Sequence, residues 1–167
     1  NILMISHYAG APQYGMEFRS YYMAREWVRM GHRVTIVGAS YSHLRKQQPH
    51  TGHEILEGIN YLWLPTSEYE GNGARRVLTM FQFCCQVYKH SKELMAFKPD
   101  MVIASSVYTF DIYPSHYIAR RTNAKLVYEV HDLWPLSDFV TFEMQTKIFA
   151  YMSFSRVRGR VFTLEHE

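Results

Sequence analysis

The 167-residue chain is predicted to form an α/β fold, a three-layer α/β/α sandwich around a mostly parallel sheet. Three observations predict it. Asn1-Ile2-Leu3-Met4-Ile5-Ser6 and Met101-Val102-Ile103-Ala104 are apolar runs of strand length, as expected of strands covered on both faces. Segments whose apolar residues recur at helical spacing separate such runs, which gives the order β-α-β-β-α-β-α-β-α. Gly31, Pro65 and Pro99 mark the changes of period. Short right-handed crossovers then put the first strand in the middle of the sheet.

The first strand leads into a loop from His7 to Gly15 that contains Gly10, Pro12 and Gly15. A helix from about Met16 to Met30 follows. It turns Phe18, Tyr21, Tyr22, Ala24, Trp27 and Val28 to one side and Arg19, Arg25, Glu26 and Arg29 largely to the other. Gly31 ends this helix, His32 reads as a turn residue, and Arg33 to Val37 is the second strand. Ser40 to Gly52 is polar and basic without a period, a mobile loop whose charges read as solvated. Glu54 to Leu64 reads as one strand closed by Pro65, and Thr66 to Gly73 as loop. Arg75 to Phe97 reads as one long helix, with Val77, Leu78, Phe81, Cys84, Cys85 and Tyr88 in its apolar stripe. Phe110 to Thr122 reads as a helix interrupted near Pro114, and Lys125 to Val130 as the fifth strand. Ser137 or Asp138 would cap a last helix rich in Phe and Tyr.

Composition narrows the class. With 47% hydrophobic and 20% charged residues the chain is an ordinary globular sequence, which excludes disorder. A net charge of +3 is mild and spread out, so no nucleic-acid partner is expected. Cys84 and Cys85 are adjacent within a predicted helix, where neither a structural disulfide nor a zinc pattern fits; a reducing, cytoplasmic location is expected, and no metal site. No apolar run reaches the roughly 20 residues a bilayer requires, so no spanning segment or signal peptide is expected.

The strand, glycine loop and helix at the start form the unit that brings backbone N–H groups and a helix N-terminus to the mouth of an α/β sheet, where anionic or polyhydroxylated ligands bind. Two glycines five positions apart do not make a dinucleotide fingerprint. Met16 and Glu17 stand where a P-loop needs Lys and Ser or Thr. Both glycines could equally serve only a tight turn. Ser105-Ser106 at the carboxyl end of a strand could hydrogen-bond a sugar or phosphate, or start the next turn. His131, also at a strand's carboxyl end, would bind or polarise a ligand, or hold structure; Glu129 shares its side, and Asp132 points away and could shape the turn before Trp134-Pro135. Arg75 and Arg76 at a helix start oppose the macrodipole, which suggests a phosphate or an acidic lipid headgroup as their partner, against simple solvation.

Taken together, the loop from His7 to Glu17, the run Gly31-His32-Arg33-Val34-Thr35-Ile36-Val37, the run Lys98-Pro99-Asp100-Met101-Val102-Ile103-Ala104-Ser105-Ser106 and Tyr128-Glu129-Val130-His131-Asp132-Leu133-Trp134-Pro135 resemble the N-terminal half of bacterial family 4 (group 1) glycosyltransferases. The resemblance runs through about residue 155. It implies one Rossmann-like half of a GT-B enzyme, in which two such domains face each other across a cleft and a sugar moves from a nucleotide donor with retention of configuration. No cofactor or obligatory metal is implied. In that family the N-terminal domain mainly holds the acceptor, and the C-terminal domain holds the donor nucleotide and a Glu-x7-Glu signature. No two glutamates of this chain stand eight positions apart, so residues 1–155 are expected to be the acceptor-binding domain, residues 156–167 a truncated linker or a tag-derived tail, and the donor-binding domain absent.

Carried over by position, the resemblance makes His131 the catalytic residue, touching the transferred sugar or orienting the transition state. It places Gly10, Gly15, Met16 and Glu17 beside the donor phosphates and acceptor, Ser105 and Ser106 on the acceptor side, and Glu129 and Asp132 as partners of His131. Gly15-Met16 stands where the family has a pair of glycines. The parent is expected to be a hexosyl- or other glycosyltransferase acting on a cell-surface polysaccharide or lipid-linked glycan, cytoplasmic and peripheral to the inner membrane through the helix after Arg75-Arg76. The chain alone is expected to be inactive. The competing expectation is a non-enzymatic ligand- or membrane-binding module on the same fold.

Overall fold

A computed structural model describes residues 1–15, 18–69 and 73–129. Its elements are β1 (Ile2–Ile5), a 3-10 turn (Pro12–Tyr14), α1 (Phe18–Arg29), β2 (Val34–Ala39), β3 (Gly52–Leu56), β4 (Ile59–Leu64), α2 (Ala74–Lys89), α3 (Ser91–Ala96), β5 (Met101–Ala104), α4 (Ile112–Thr122) and β6 (Lys125–Tyr128). The six strands lie in one sheet in the order β3-β4-β2-β1-β5-β6. All pairs are parallel except β3 with β4, and β1 is central, as the sequence predicts.

Because successive strand residues face opposite ways, each apolar run feeds both cores. Met4, Ile36, Tyr61 and Trp63 pack with Tyr21 and Ala24 of α1 on one face. Leu3, Ile5, Val37 and Leu64 pack with Phe83, Val87, Leu94 and Ile118 on the other, under α2, α3 and α4. The helix side read as apolar in α1 is only half buried: Tyr21 and Ala24 are covered, whereas Phe18 and Tyr22 stay exposed. Gly31 ends α1 at φ 89°, with Gly31 N–H donating to Val28 and His32 N–H to Trp27, a Schellman cap.

Three boundaries differ from the sequence reading. Glu54 to Leu64 is a hairpin and not one strand, because Glu57 and Gly58 both take positive φ (49° and 81°), the two-residue turn whose twist suits antiparallel strands. The long helix breaks at His90, which brings Leu94 of α3 down into the core. Pro114 does not interrupt α4. It is the third helical residue, where its missing N–H has no intrahelical partner to lose. In addition, Arg45, expected as a solvated charge in a mobile loop, is buried.

Candidate functional site

The chain reverses direction across the sheet between β1 and β5. β1 leads by way of α1 to β2 on one side, and β5 leads by way of α4 to β6 on the other. Such a switch point leaves a crevice outside the carboxyl ends of the strands, where ligands of open α/β sheets bind. The loops after β1 and β5 meet there. Ser6 Oγ donates to the Ser105 carbonyl at 2.9 Å, and His7 N–H donates to Ser106 Oγ at 3.0 Å.

Ser105 and Ser106 are thus brought to the switch point, both buried. Ser105 Oγ donates to Glu129 Oε2 at 2.6 Å, and Arg19 of α1 pairs with Glu129 Oε1. Glu129, just past β6, continues the ladder by donating its N–H to the Ala104 carbonyl. Ser106 N–H donates to Asp111 Oδ2 at 3.1 Å, so Ser106 also opens the turn into α4. Gly10 and Gly15 lie in the first loop. The Gly10 carbonyl accepts from Tyr61 Oη at 3.1 Å, and Gly15 sits at φ 88° with the Lys46 side chain 3.0 Å from where a Cβ would be, so a turn demands glycine there. Met16, Glu17, His131 and Asp132 lie outside the described residues.

On the β2 and β4 side the rim is braced by Arg45 and His43, which the sequence reading left as solvated loop residues, and by Arg76. Arg45 donates through Nε to the Ala9 carbonyl and through a terminal nitrogen to the Ala39 carbonyl, both at 2.9 Å, and lies over the Trp63 ring. It ties the first loop to the end of β2. Arg76 donates to Tyr8 Oη at 3.2 Å, while Arg75 is exposed. His43 Nδ1 lies 2.6 Å from Tyr69 Oη.

His7 is fully buried, its Nδ1 2.6 Å from Tyr108 Oη and its ring against Tyr8 and Phe83. Burial first, then the cations Arg45 and Arg76 and the neighbouring His43, push its pKa down to about 3, so the ring is neutral. Its Nε2 has no hydrogen-bond partner among the described residues. Burial pushes the Cys84 thiol up to about 12, which leaves it an inert packing group.

His7, Arg19, Arg45 and Asp111 were missed as site residues. Two of them carried a signal: His7 follows a central strand just as His131 follows a later one, and Arg19 is a cation in the first turn of a helix. Arg45 and Asp111 carried none, because only the folded chain shows which polar residues are covered. A groove of about 320 Å³ beside His53, Asn60, Glu93 and Phe97 lies at the opposite, amino end of the sheet. We place the candidate site at the switch point, because strand topology brings the loops together there. Among the described residues no cluster of His, Cys, Asp and Glu could hold a metal, and no helix is long and apolar enough to cross a membrane.

A Rossmann-like α/β sheet whose switch point gathers hydroxyl, carboxylate and guanidinium groups defines a ligand-binding domain of the doubly wound class. The family model described as "Glycosyl transferase 4-like domain" matches residues 14–164, and the chain belongs to that family of glycosyltransferases. A search of curated proteins found no match.

Proposed function

We propose that this chain is the acceptor-side domain of a retaining glycosyltransferase, one that moves a sugar from a nucleotide-sugar donor to a cell-surface polysaccharide or lipid-linked glycan. The observation that supports the reading is that Ser105, Ser106 and Glu129 gather at a switch-point rim in a chain of this family. In the transfer, an acceptor hydroxyl oxygen bonds to the anomeric carbon as the bond to the donor phosphate oxygen breaks, and the hydroxyl proton passes to the leaving phosphate. The acceptor must be held and oriented, and Ser105, Ser106 and the carboxylate of Glu129 are the groups for that. Gly10, Gly15, Met16 and Glu17 border the donor phosphates, and His131, with Asp132 beside it, contacts the transferred sugar. Charge on the leaving phosphate is stabilised mainly by a second domain bearing the Glu-x7-Glu signature, with no obligatory metal. The setting is the cytoplasmic face of the inner membrane, where lipid-linked acceptors are presented.

The test is turnover of a nucleotide sugar by the full-length protein that contains this chain. His131→Ala should lower turnover by about a hundredfold or more with little change in melting temperature. The isolated chain should show negligible transfer. Unchanged turnover in the variant, or transfer by the isolated chain, would overturn the assignment.

A further inference from the structure

One cross-strand pair of the edge hairpin grips the first loop at two points. Glu54 of β3 stands opposite Tyr61 of β4, and such partners project from the same face of the sheet. Tyr61 Oη donates to the Gly10 carbonyl at 3.1 Å, in the nearer part of the loop. Glu54 takes the farther part: its Oε1 accepts from Gln13 Nε2 at 3.0 Å and its Oε2 from Tyr14 Oη at 2.6 Å, both residues of the 3-10 turn. Trp63, two residues along β4, donates its indole N–H to the same Oε2 at 2.7 Å and meets the Tyr14 ring edge-on at 5.6 Å. His53 and Ile55 on either side are exposed, so Glu54 is the charged residue that β3 turns inward. An inward carboxylate is costly unless it is hydrogen-bonded, and two of its three donors belong to the loop.

We propose that Glu54 is a positioning residue: through Gln13 and Tyr14 it sets where the first loop ends at the switch point and hands over to Met16 and Glu17. The turn closes on Gly15, whose N–H donates to the Pro12 carbonyl at 3.2 Å and whose φ of 88° redirects the chain toward α1. Backbone ties from Lys46 and Gln47 to the Tyr14 carbonyl come from another loop, whereas Glu54 comes from a strand, which gives the turn a rigid reference. A loop that presents backbone N–H groups to an anionic or hydroxylated ligand works only when it is held in one geometry, and a displacement of about 1 Å can cost about a hundredfold in rate. The hairpin at the sheet edge therefore acts on the site without touching the ligand.

The test has two arms. Amide hydrogen exchange of the 167-residue protein reads the loop directly. Glu54→Gln replaces one of the two accepting oxygens with a donor, so the Gly15 amide should exchange about tenfold faster while the Met4 and Ile36 amides of the central strands stay slow. Tyr14→Phe should loosen the same amide, and the double variant should exchange no faster than Glu54→Gln alone. The second arm rests on the transferase reading and measures nucleotide-sugar turnover by the full-length protein. There kcat/KM should fall about tenfold or more in both single variants, whereas Val87→Ala, a destabilising change in the opposite core, should leave it unchanged. Unchanged Gly15 exchange, a rise shared equally by Met4 and Ile36, or turnover that survives a loosened loop would overturn the proposal. Absence of turnover in the unaltered full-length protein would sink the transferase reading alone, and the exchange arm would still decide the role of Glu54.

Discussion

The two sides of the carboxyl rim differ in what their principal charged side chains, Arg45 and Glu129, bind. On the β2 and β4 side, Arg45 donates mainly to backbone carbonyls of the first loop and of β2, and its charge helps keep the buried His7 neutral. On the β5 and β6 side, Ser105, Glu129 and Arg19 bind one another through side chains from three different elements. Carbonyl-bound groups fix the position of loops and have no second arrangement to offer. Side chains bound to side chains can exchange partners when a ligand enters. Arg45 is therefore scaffold, and the Ser105, Glu129 and Arg19 group is where a hydroxylated ligand could compete for hydrogen bonds.

This contrast is broken most directly at Arg45. Arg45→Ala leaves the Ala9 and Ala39 carbonyls without their donor, and unfolding free energy should fall by roughly 3 kcal/mol, read from urea denaturation. A loss below about 0.5 kcal/mol, the range of ordinary surface substitutions, would remove Arg45 from the scaffold. Gly38→Ala comes next. A Cβ there would stand 2.5 Å from Trp63 Cζ3 and 3.2 Å from the Ala9 Cβ, an overpacking that should cost about 2 kcal/mol by the same measurement.

His7 sharpens the comparison through pH. Its pKa is about 3 in the folded protein against an ordinary 6.5, so between those values the unfolded chain takes up a proton that the folded one refuses. The contribution is present above pH 6.5 and is lost as pH falls, at up to about 1.4 kcal/mol per pH unit. Denaturation midpoints at pH 7 and pH 5 should show that loss, and His7→Gln should flatten it. An equal slope in the variant would assign the acid sensitivity elsewhere.

The smallest effect on folding is expected on the other half. Ser105→Ala removes one hydrogen bond to Glu129 but leaves the Arg19 ion pair, so stability should drop by about 1 kcal/mol. Turnover in the transfer reaction proposed above should fall by more than that loss explains. If Ser105→Ala destabilises as much as Arg45→Ala, the distinction between scaffold and working half fails.

Much of the fold was legible because period and punctuation are local. The buried runs of β1, β2 and β5, the glycine stop at Gly31 and the centrality of β1 need only neighbouring residues and crossover handedness. The hairpin at Glu57-Gly58 was also local, but alternation continues through the turn, so the run reads as one strand. The site was legible in part. Ser105, Ser106 and Glu129 stand at strand ends, and topology sends those ends to one rim.

By itself the sequence determined the layer order, the parallel sheet and the family resemblance, because apolar periodicity and short motifs survive without coordinates. Only the tertiary structure decided that Arg45 braces two carbonyls, that Arg19 reaches Glu129, and that His7 is buried and neutral. Each of these depends on residues far apart in the chain, and burial, which sets the energy of a polar group, exists only once the chain has folded.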